Sequence, residues 1–486
     1  MMVHDLLIIG GGINGTALAR EAALNELSVL LVERGDLACA TSSASTKLIH
    51  GGLRYLEYGD FRLVREALQE RQRLLRAAPH VIRPICFVLP RAQAVRPQWM
   101  VRLGLLLYDV LGGRSRLPRS YRLRPGDRRL QMPLKRPIGG FVYMDCVTDD
   151  SRLTLLNAMD AAQHGADIRT GTELLSAHRE KDEWRVSLSG GGEARARVLV
   201  NATGPWVSET LTRLGQASTA HVRLVKGSHI IVPRLYDGDH AYILQQPDRR
   251  IVFTIPYEQR FTLIGTTEVT VQRADEASVS CEEIDYLCAA ANLYFTGPIT
   301  PADVVHSFGG VRPLYDDGTA DAKAVTRDYV LELDEGGAPL LSIFGGKITT
   351  ARHLAEEALG LLAGAVGWQY YRSSRALVFP GGAIADFSEF LSQIRGFWPF
   401  LGEERSLRMT RAYGTMLHEM LGAVREEADM GRNFGAGFTE VEARWMRDHE
   451  WAKTTEDCLW RRSKLGLHMT EGEQAAFRHW WQENAA

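Results

Sequence analysis

Two stretches near the start of the chain hold residue types and spacings that do chemistry. In DLLIIGGGINGTALAREAALNELSVLLVERG, residues 5–35, Gly10, Gly12 and Gly15 fit a G-x-G-x-x-G pattern. An apolar run, Leu6–Ile9, precedes the glycines. An Ala-rich helical stretch follows, with Ala19 as the small residue against the sheet, and a second apolar run from Ser28 to Val32 ends at Glu33. Gly10 permits a tight turn, Gly12 lets the backbone approach a pyrophosphate, and Gly15 lets the helix lie close to the strand. The helix start presents free N–H groups and a positive dipole end to phosphates. Glu33 stands where a carboxylate accepts from a ribose hydroxyl, which favours an adenosine without a 2′-phosphate. This order of elements predicts a dinucleotide site, with FAD and NAD both open. The second stretch, TSSASTKLIHGGLRYLE at 41–57, crowds hydroxyls, Lys47, His50, a Gly-Gly pair, Arg54 and Tyr55 into one run. Its apolar residues keep no single period, so neither a simple strand nor a simple helix is expected.

The elements that must position these groups come from a chain of 486 residues, too long for one ordinary core and expected to form two or three domains. The 45% apolar and 24% charged content is that of a globular protein without a bias toward disorder. A formal net charge of −2 excludes a generally basic, nucleic-acid-coating protein. Six cysteines, Cys39, Cys86, Cys146, Cys281, Cys288 and Cys458, form no C-x-x-C pair and no metal-ligand spacing. They read as reduced, mostly buried thiols of a cytosolic chain, and no metal is expected. The start MMVHDLLIIGGG reads as a strand rather than a signal peptide, and no stretch approaches a membrane span.

A charged helical pattern covers Phe61–Ala78, and residues 84–137 are dense in Pro, Arg and Leu. A helix is expected near 150–164, then short strands around 168–172, 184–188 and 197–200. Strands separated by turns dominate from about 222 to 265, in SHIIVP, AYILQQ, RIVFTIP and FTLIGTT. Another strand, Leu340–Phe344, runs into Gly345-Gly346 and the helical TTARHLAEEALGLL. Beyond about residue 377 the chain turns helical and carries six of the ten tryptophans, which predicts a separate C-terminal helical domain. Between Arg91 and Arg136, eleven Arg and one Lys stand against two Asp, a local charge of +10. The same segment holds the apolar WMVRLGLLLYDVLGG, with Trp99 and Tyr108. It fits a helix lying on an anionic bilayer surface, or a buried helix followed by a solvated Arg-rich loop.

Further stretches carry a family resemblance. They are LVNATGPWV at 199–207, SFGGVRPLYDD at 307–317, IFGGKITTARHLAEEAL at 343–359, CATSSASTKLIHGGLRYLE, VKGSHIIVPR, IGTTE and DHEWAKTTEDCLWRRSKLGL. Together these closely resemble the FAD-dependent, membrane-associated aerobic glycerol-3-phosphate dehydrogenases, from residue 3 to about residue 480. Glu268 departs from the family's usual Asp after the Thr-Thr pair. The C-terminal region lacks the cysteine cluster of the anaerobic relatives, and the chain lacks the large insertion of the oxygen-reducing oxidases.

The resemblance implies an α/β fold: an FAD-binding Rossmann-like domain of the glutathione-reductase/D-amino-acid-oxidase type, a mixed β-sheet substrate domain and a C-terminal α-helical domain. The oxidoreductase region would span 1–376, with FAD-binding segments at about 1–80, 141–215 and 338–376. Substrate segments at 81–140 and 216–337 would interleave with these, and 377–486 would form the helical domain. FAD would lie along Gly10, Gly12, Ile13, Asn14, Gly15 and Glu33. It would continue past Ser42, Ser43, Lys47, Leu48 and His50, flanked by Ala202, Thr203 and Gly204. Gly345, Gly346, Lys347 and Thr349 would aim a helix start at the flavin, where a positive dipole end steadies developing negative charge. The implied reaction oxidises sn-glycerol 3-phosphate to dihydroxyacetone phosphate by hydride transfer, with electrons passed to a membrane quinone. Arg54, Arg312 and Lys347 would meet the phosphate, the guanidinium forks ranking above the ammonium. Proton removal needs a group titrating near neutrality, and His50 and His229 are both candidates. Tyr55, Thr266 and Thr267 would orient the substrate. The resemblance also implies peripheral attachment at the cytoplasmic face of the inner membrane and leaves room for a homodimer. Two alternatives stay open: an amine or amino-acid oxidase of the same superfamily, and a non-catalytic nucleotide-fold module.

Overall fold

The computed structural model describes residues 2–91, 96–113, 115–135, 139–216, 218, 220–316 and 328–484. In it the apolar run Leu6–Ile9 is a central strand, buried along its length. Strands in the middle of a parallel sheet are covered on both faces, so they read as continuous apolar runs. Val3–Ile9 pairs in parallel with Val29–Val32 on one side and Gly192–Asn201 on the other. Asp167–Arg169 and Leu340–Phe344 extend the sheet in parallel, and Val330–Asp334 closes one edge antiparallel. Helix α1 (Ile13–Ala23) packs against helices Asp150–Gln163 and Ala351–Val366 on one face.

The second sheet is mostly antiparallel. Val222–Pro233 lies between Phe261–Gly265 and His306–Tyr315, and Ile251–Tyr257 and Ala241–Gln245 continue outward. Ala241–Gln245 then meets Ile82–Pro90 in parallel, which pairs with Gly140–Thr148. Two expected segment boundaries therefore move. Gly140–Thr148 belongs to the second sheet, not the cofactor sheet, and Val330–Asp334 belongs to the cofactor sheet. An apolar strand says that it is buried but not in which sheet, because its partners lie far away in the chain.

The C-terminal region is helical, with Phe387–Phe397, Gly402–Tyr413, Glu440–His449 and Glu471–Asn484 as its main helices. The change at 377 is one of composition, not a break in packing. One apolar core runs from Leu6 and Leu18 through Leu156 and Leu354 to Trp445 and Phe477. Across that seam Arg152 donates two hydrogen bonds to Glu450, at 2.9 and 2.8 Å, with both side chains buried. The Arg20 guanidinium lies 4.0 Å over the Phe379 ring.

Helix α2 (Phe61–Ala77) and helix α3 (Gln98–Leu111) flank the second sheet. On α3, Trp99 is 69% exposed, Leu103 49%, Leu106 44% and Val110 74%. Leu105 and Tyr108 depart from the expected apolar surface: both are buried, and Tyr108 donates to Asp145 at 2.7 Å and accepts from the Gly51 N–H. Among the described residues no helix is long and apolar enough to cross a membrane. Arg114 and Arg136 of the basic segment, and Asp317 of SFGGVRPLYDD, lie outside the described residues. None of the six cysteines is paired; three are buried, whereas Cys39 and Cys281 are exposed, against expectation.

His80 sits at the seam with the C-terminal region, fully buried against Gly381 and Gly414, and neither ring nitrogen has a partner. Burial first, and Arg152 second, lower its pKa to about 3. The unfolded chain therefore binds this proton more readily, so the cost of folding grows as pH falls from about 6.5 toward 3. His80→Leu is expected to flatten the decline of melting temperature with acid in that window, and thermal melts against pH check it.

Candidate active site

At the carboxyl ends of the cofactor sheet's strands, the start of α1 opens onto a groove lined by Gly10, Gly12, Ile13, Asn14, Glu33 and Ala202–Gly204. Gly15 does not line the groove but sits behind it, where a built Cβ would come within 2.0 Å of the Gly10 carbonyl oxygen. The Glu33 carboxylate accepts from the Gly11 N–H at 2.7 Å and the Gly35 N–H at 2.8 Å, tying the two turns together. Oε1 also lies 3.8 Å from the Cys39 thiol, and Oε2 keeps a further lone pair for a ribose hydroxyl. Nearby, the Arg34 guanidinium lies 4.4 Å over the Trp206 ring, and both line the groove. Asn14 bridges the early and late glycine turns: its Nδ2 donates to the Gly345 carbonyl at 3.1 Å, while its Oδ1 is buried without a partner.

The groove passes Ile13, Thr41, Ser42, Gly345 and Gly346 into a cavity of about 740 Å³. Segments far apart in sequence converge here. His50, Arg54 and Tyr55 come from the 41–57 stretch, His229 from Val222–Pro233, and Thr266 from just beyond Phe261–Gly265. Arg312 comes from His306–Tyr315, and Lys347 and Thr349 follow Leu340–Phe344. Leu48 also faces the cavity. Strand register explains part of this: His229 lies across from both Gly265 and Phe308, and Gly227 across from Gly310. A Cβ at Gly227 would fall 2.3 Å from Arg312 Nη2, so only glycine leaves that guanidinium its place.

Arg312 donates to the Thr267 carbonyl at 3.1 Å and lies 3.8 Å from the Glu268 carboxylate. The Arg54 Nε is buried without a partner, and the Lys347 ammonium sits 4.2 Å from the Tyr55 ring centre. Glu57, also at the wall, is paired with Arg96.

The two histidines differ in their hydrogen-bond partners. His50 Nδ1 lies 3.0 Å from the Gly52 N–H and accepts from it, so the neutral ring carries its proton on Nε2. His229 is 2% exposed and stacked on Phe308 at 5.0 Å. Its Nε2 lies 3.0 Å from Thr46 Oγ1, and its Nδ1 has no partner. Burial first, then the charges of Lys47 and Arg312, lower its pKa to about 3.

Three expected site residues face elsewhere. Thr267 is buried; its hydroxyl accepts from the Ser228 N–H at 2.9 Å and donates to Glu283 at 2.7 Å. Thr266, just past the strand end at Gly265, lines the cavity, and Thr267 does not. Lys47 donates to Asp150 and to the Ser43 carbonyl, both at 2.8 Å, and its own N–H and carbonyl are engaged by Ser45 and Thr148. Lys47 and Ser43 line a separate 440 Å³ cavity on the far side of the 39–47 segment. Ser42 alone of that serine pair faces the groove, accepting the Ile13 N–H at 2.9 Å. Sequence reasoning missed Thr46, which stood inside the quoted stretch, and Arg96, counted only for its charge.

Residues 5–352 match the family described as DAO, FAD dependent oxidoreductase. The chain belongs to that family. It is 48% identical to a D-erythritol 1-phosphate dehydrogenase of Brucella abortus, over 98% of this chain and 97% of the relative. It is equally 48% identical to a glycerol-3-phosphate dehydrogenase of Pseudomonas aeruginosa, over 99% and 95%. Among solved structures, a glycerol-3-phosphate dehydrogenase from Bacillus halodurans complexed with FAD is similar with a TM-score of 0.77 and 26% identity, covering 99% of this chain and 89% of that one.

The cofactor of this FAD-dependent oxidoreductase is therefore FAD, and the residues present fit it. The groove and cavity share lining residues and form one elongated space, Gly10, Gly12, Gly345 and Gly346 bring backbone to its wall, and the orphaned Asn14 Oδ1 awaits a donor. Gly15→Ala is expected to lift α1 off the turn at Gly10, giving a chain purified without flavin colour; absorbance against protein concentration checks it.

Proposed function

We propose that this oxidoreductase oxidises sn-glycerol 3-phosphate at C2, giving dihydroxyacetone phosphate. The supporting observation is that Arg54, Arg312 and Lys347, from three distant segments, line one cavity with His50 and His229. A phosphate dianion satisfies the buried Arg54 Nε and takes paired hydrogen bonds from guanidinium forks. An amino-acid substrate presents only a carboxylate, for which three cations are an excess. Bound FAD supplies the isoalloxazine that accepts the hydride from C2.

The 2-hydroxyl proton goes to His229 in this reading. His50 already accepts at Nδ1 and carries its proton on Nε2, whereas His229 keeps one nitrogen unpartnered. Burial is the largest cause of its pKa of about 3, followed by the charges of Lys47 and Arg312. A dianion beside Arg312 offsets that charge and raises the proton affinity of the imidazole when substrate is in place. Tyr55 and Thr266 orient the polyol, and Thr266 already donates to the Thr267 carbonyl at 3.1 Å, which leaves its oxygen to accept.

The Brucella relative's name supports a second reading, a four-carbon alditol phosphate, D-erythritol 1-phosphate, in the same site. Electrons then pass to a membrane quinone. Supporting this, α3 contributes Met100, Val101, Leu103, Gly104 and Leu107 to the cavity wall while exposing Trp99, Leu106 and Val110. An apolar, aromatic helix followed by an Arg-rich segment suits the cytoplasmic surface of an anionic bilayer.

Anaerobic addition of either phosphate, followed by flavin absorbance, separates the two substrates by which one bleaches at lower concentration. Arg312→Ala is expected to weaken apparent affinity about ten- to a hundredfold, the worth of a charge-assisted hydrogen bond. His229→Gln is expected to slow reduction about 10²–10⁴-fold with substrate binding little changed. Cosedimentation with anionic vesicles at low salt, reversed by high salt and by Trp99→Glu, is expected of the membrane contact. Full recovery in the supernatant overturns it.

A further inference from the structure

The segment Asp457–Lys464 of the C-terminal region lines neither the cofactor groove nor the substrate cavity, yet it grips the supports of both. Its first part, Asp457–Arg462, is a π-helix, a form that is rare and concentrated at functional positions. Arg462, itself buried, donates to both oxygens of Asp36, at 2.6 and 2.7 Å, and Arg461 Nε adds a third bond at 2.5 Å. Asp36 lies in the turn that follows Glu33. In that turn the Glu33 carboxylate accepts the Gly11 N–H, and the Ala38 N–H donates to the Gly11 carbonyl at 3.1 Å.

Lys464 grips the other support. Its ammonium pairs with Asp149 and donates to Ser151 Oγ at 2.8 Å, while Ser151 Oγ lies 2.6 Å from the Arg461 carbonyl. Between these residues stands Asp150, which fixes Ser45 and Lys47 on either side of Thr46. One short segment thus reaches the adenosine turn at one end and the flavin-side segment at the other.

We infer that Asp457–Lys464 is a clamp that holds the two cofactor loops in their binding geometry, so that the C-terminal helical region serves FAD retention. A loop already held when the ligand arrives costs no ordering at that step, and affinity rises accordingly. The inference rests on FAD as the cofactor and not on the substrate, and FAD binding is measured without substrate. Removing one member of a buried ion pair strands a charge, whereas replacing both by apolar residues of similar size leaves folding nearly unchanged. The test is the paired substitution Asp36→Leu with Arg462→Met in the full chain; Arg461, which also bonds Asp36, keeps its ion pair with Asp457, and the Glu450 carbonyl loses the Arg462 donor.

Three readouts are taken: the melting temperature of the flavin-free protein, the FAD dissociation constant from flavin fluorescence, and tryptic cleavage after Arg34. The clamp predicts an FAD dissociation constant raised about tenfold, faster cleavage after Arg34, and a melting temperature close to that of the parent. A dissociation constant within about twofold of the parent overturns it. So does a rise matched by a large fall in melting temperature without faster local cleavage, which marks a merely structural pair. If the paired variant does not fold, Lys464→Gln decides: a severalfold weaker hold on FAD in a folded chain supports the clamp, and an unchanged hold overturns it.

Discussion

The carboxylate of Asp150 is the interaction on which the site's geometry depends. It is fully buried and accepts from the Ser45 N–H at 3.1 Å, Ser45 Oγ at 2.7 Å, the Lys47 ammonium at 2.8 Å and the Ser151 N–H at 2.9 Å. A buried charge this well satisfied is stable only as a set; loss of one partner of such a pair costs about 3–5 kcal/mol. The set pins 45–47 to the first turn of the 150–163 helix, and so fixes where the following residues, His50, Arg54 and Tyr55, enter the cavity. Without it, the run that looked irregular in sequence would be an ordinary loop.

The same charges shape the electrostatics. Lys47 is paired behind the cavity wall, yet its field still reaches His229 and, with burial and Arg312, holds the imidazole neutral. Arg312 is steadied by a carbonyl and by Glu268 rather than left to swing. A longer acid in place of Asp keeps its carboxylate within reach of that guanidinium. The cavity thus holds cations fixed in position beside a neutral imidazole, with a donor at Arg54 Nε and, in the adjoining groove, an acceptor at Asn14 Oδ1 both without a protein partner.

Much of this was legible in the sequence because local physics wrote it there. The glycines at 10, 12 and 15, the buried runs beside them and Glu33 occupy the places their spacing implied. The convergence of Arg54, Arg312 and Lys347 came from family resemblance, and no periodicity in the chain encodes it. What stayed hidden was set by partners distant in sequence. Nothing local distinguishes Thr266 from Thr267, since Thr267 is turned inward by Ser228 and Glu283, its hydroxyl's partners elsewhere in the chain. Lys47 reads as a ligand-facing cation until Asp150, far downstream, claims it. The seam at 377 looked like a domain boundary because composition changes there, although the core runs through it unbroken.

The tie between Asn14 and Gly345 spans 331 residues. A ribosome must therefore release about three-quarters of the polypeptide before the late turn can dock against the early one, although the nucleotide fingerprint emerges first. During that interval the opening βαβ unit lacks a completed binding wall, and its apolar strand waits for neighbours not yet synthesised. That wall of the groove is thus completed late in biosynthesis, and a product of translation cut short before Gly345 lacks it.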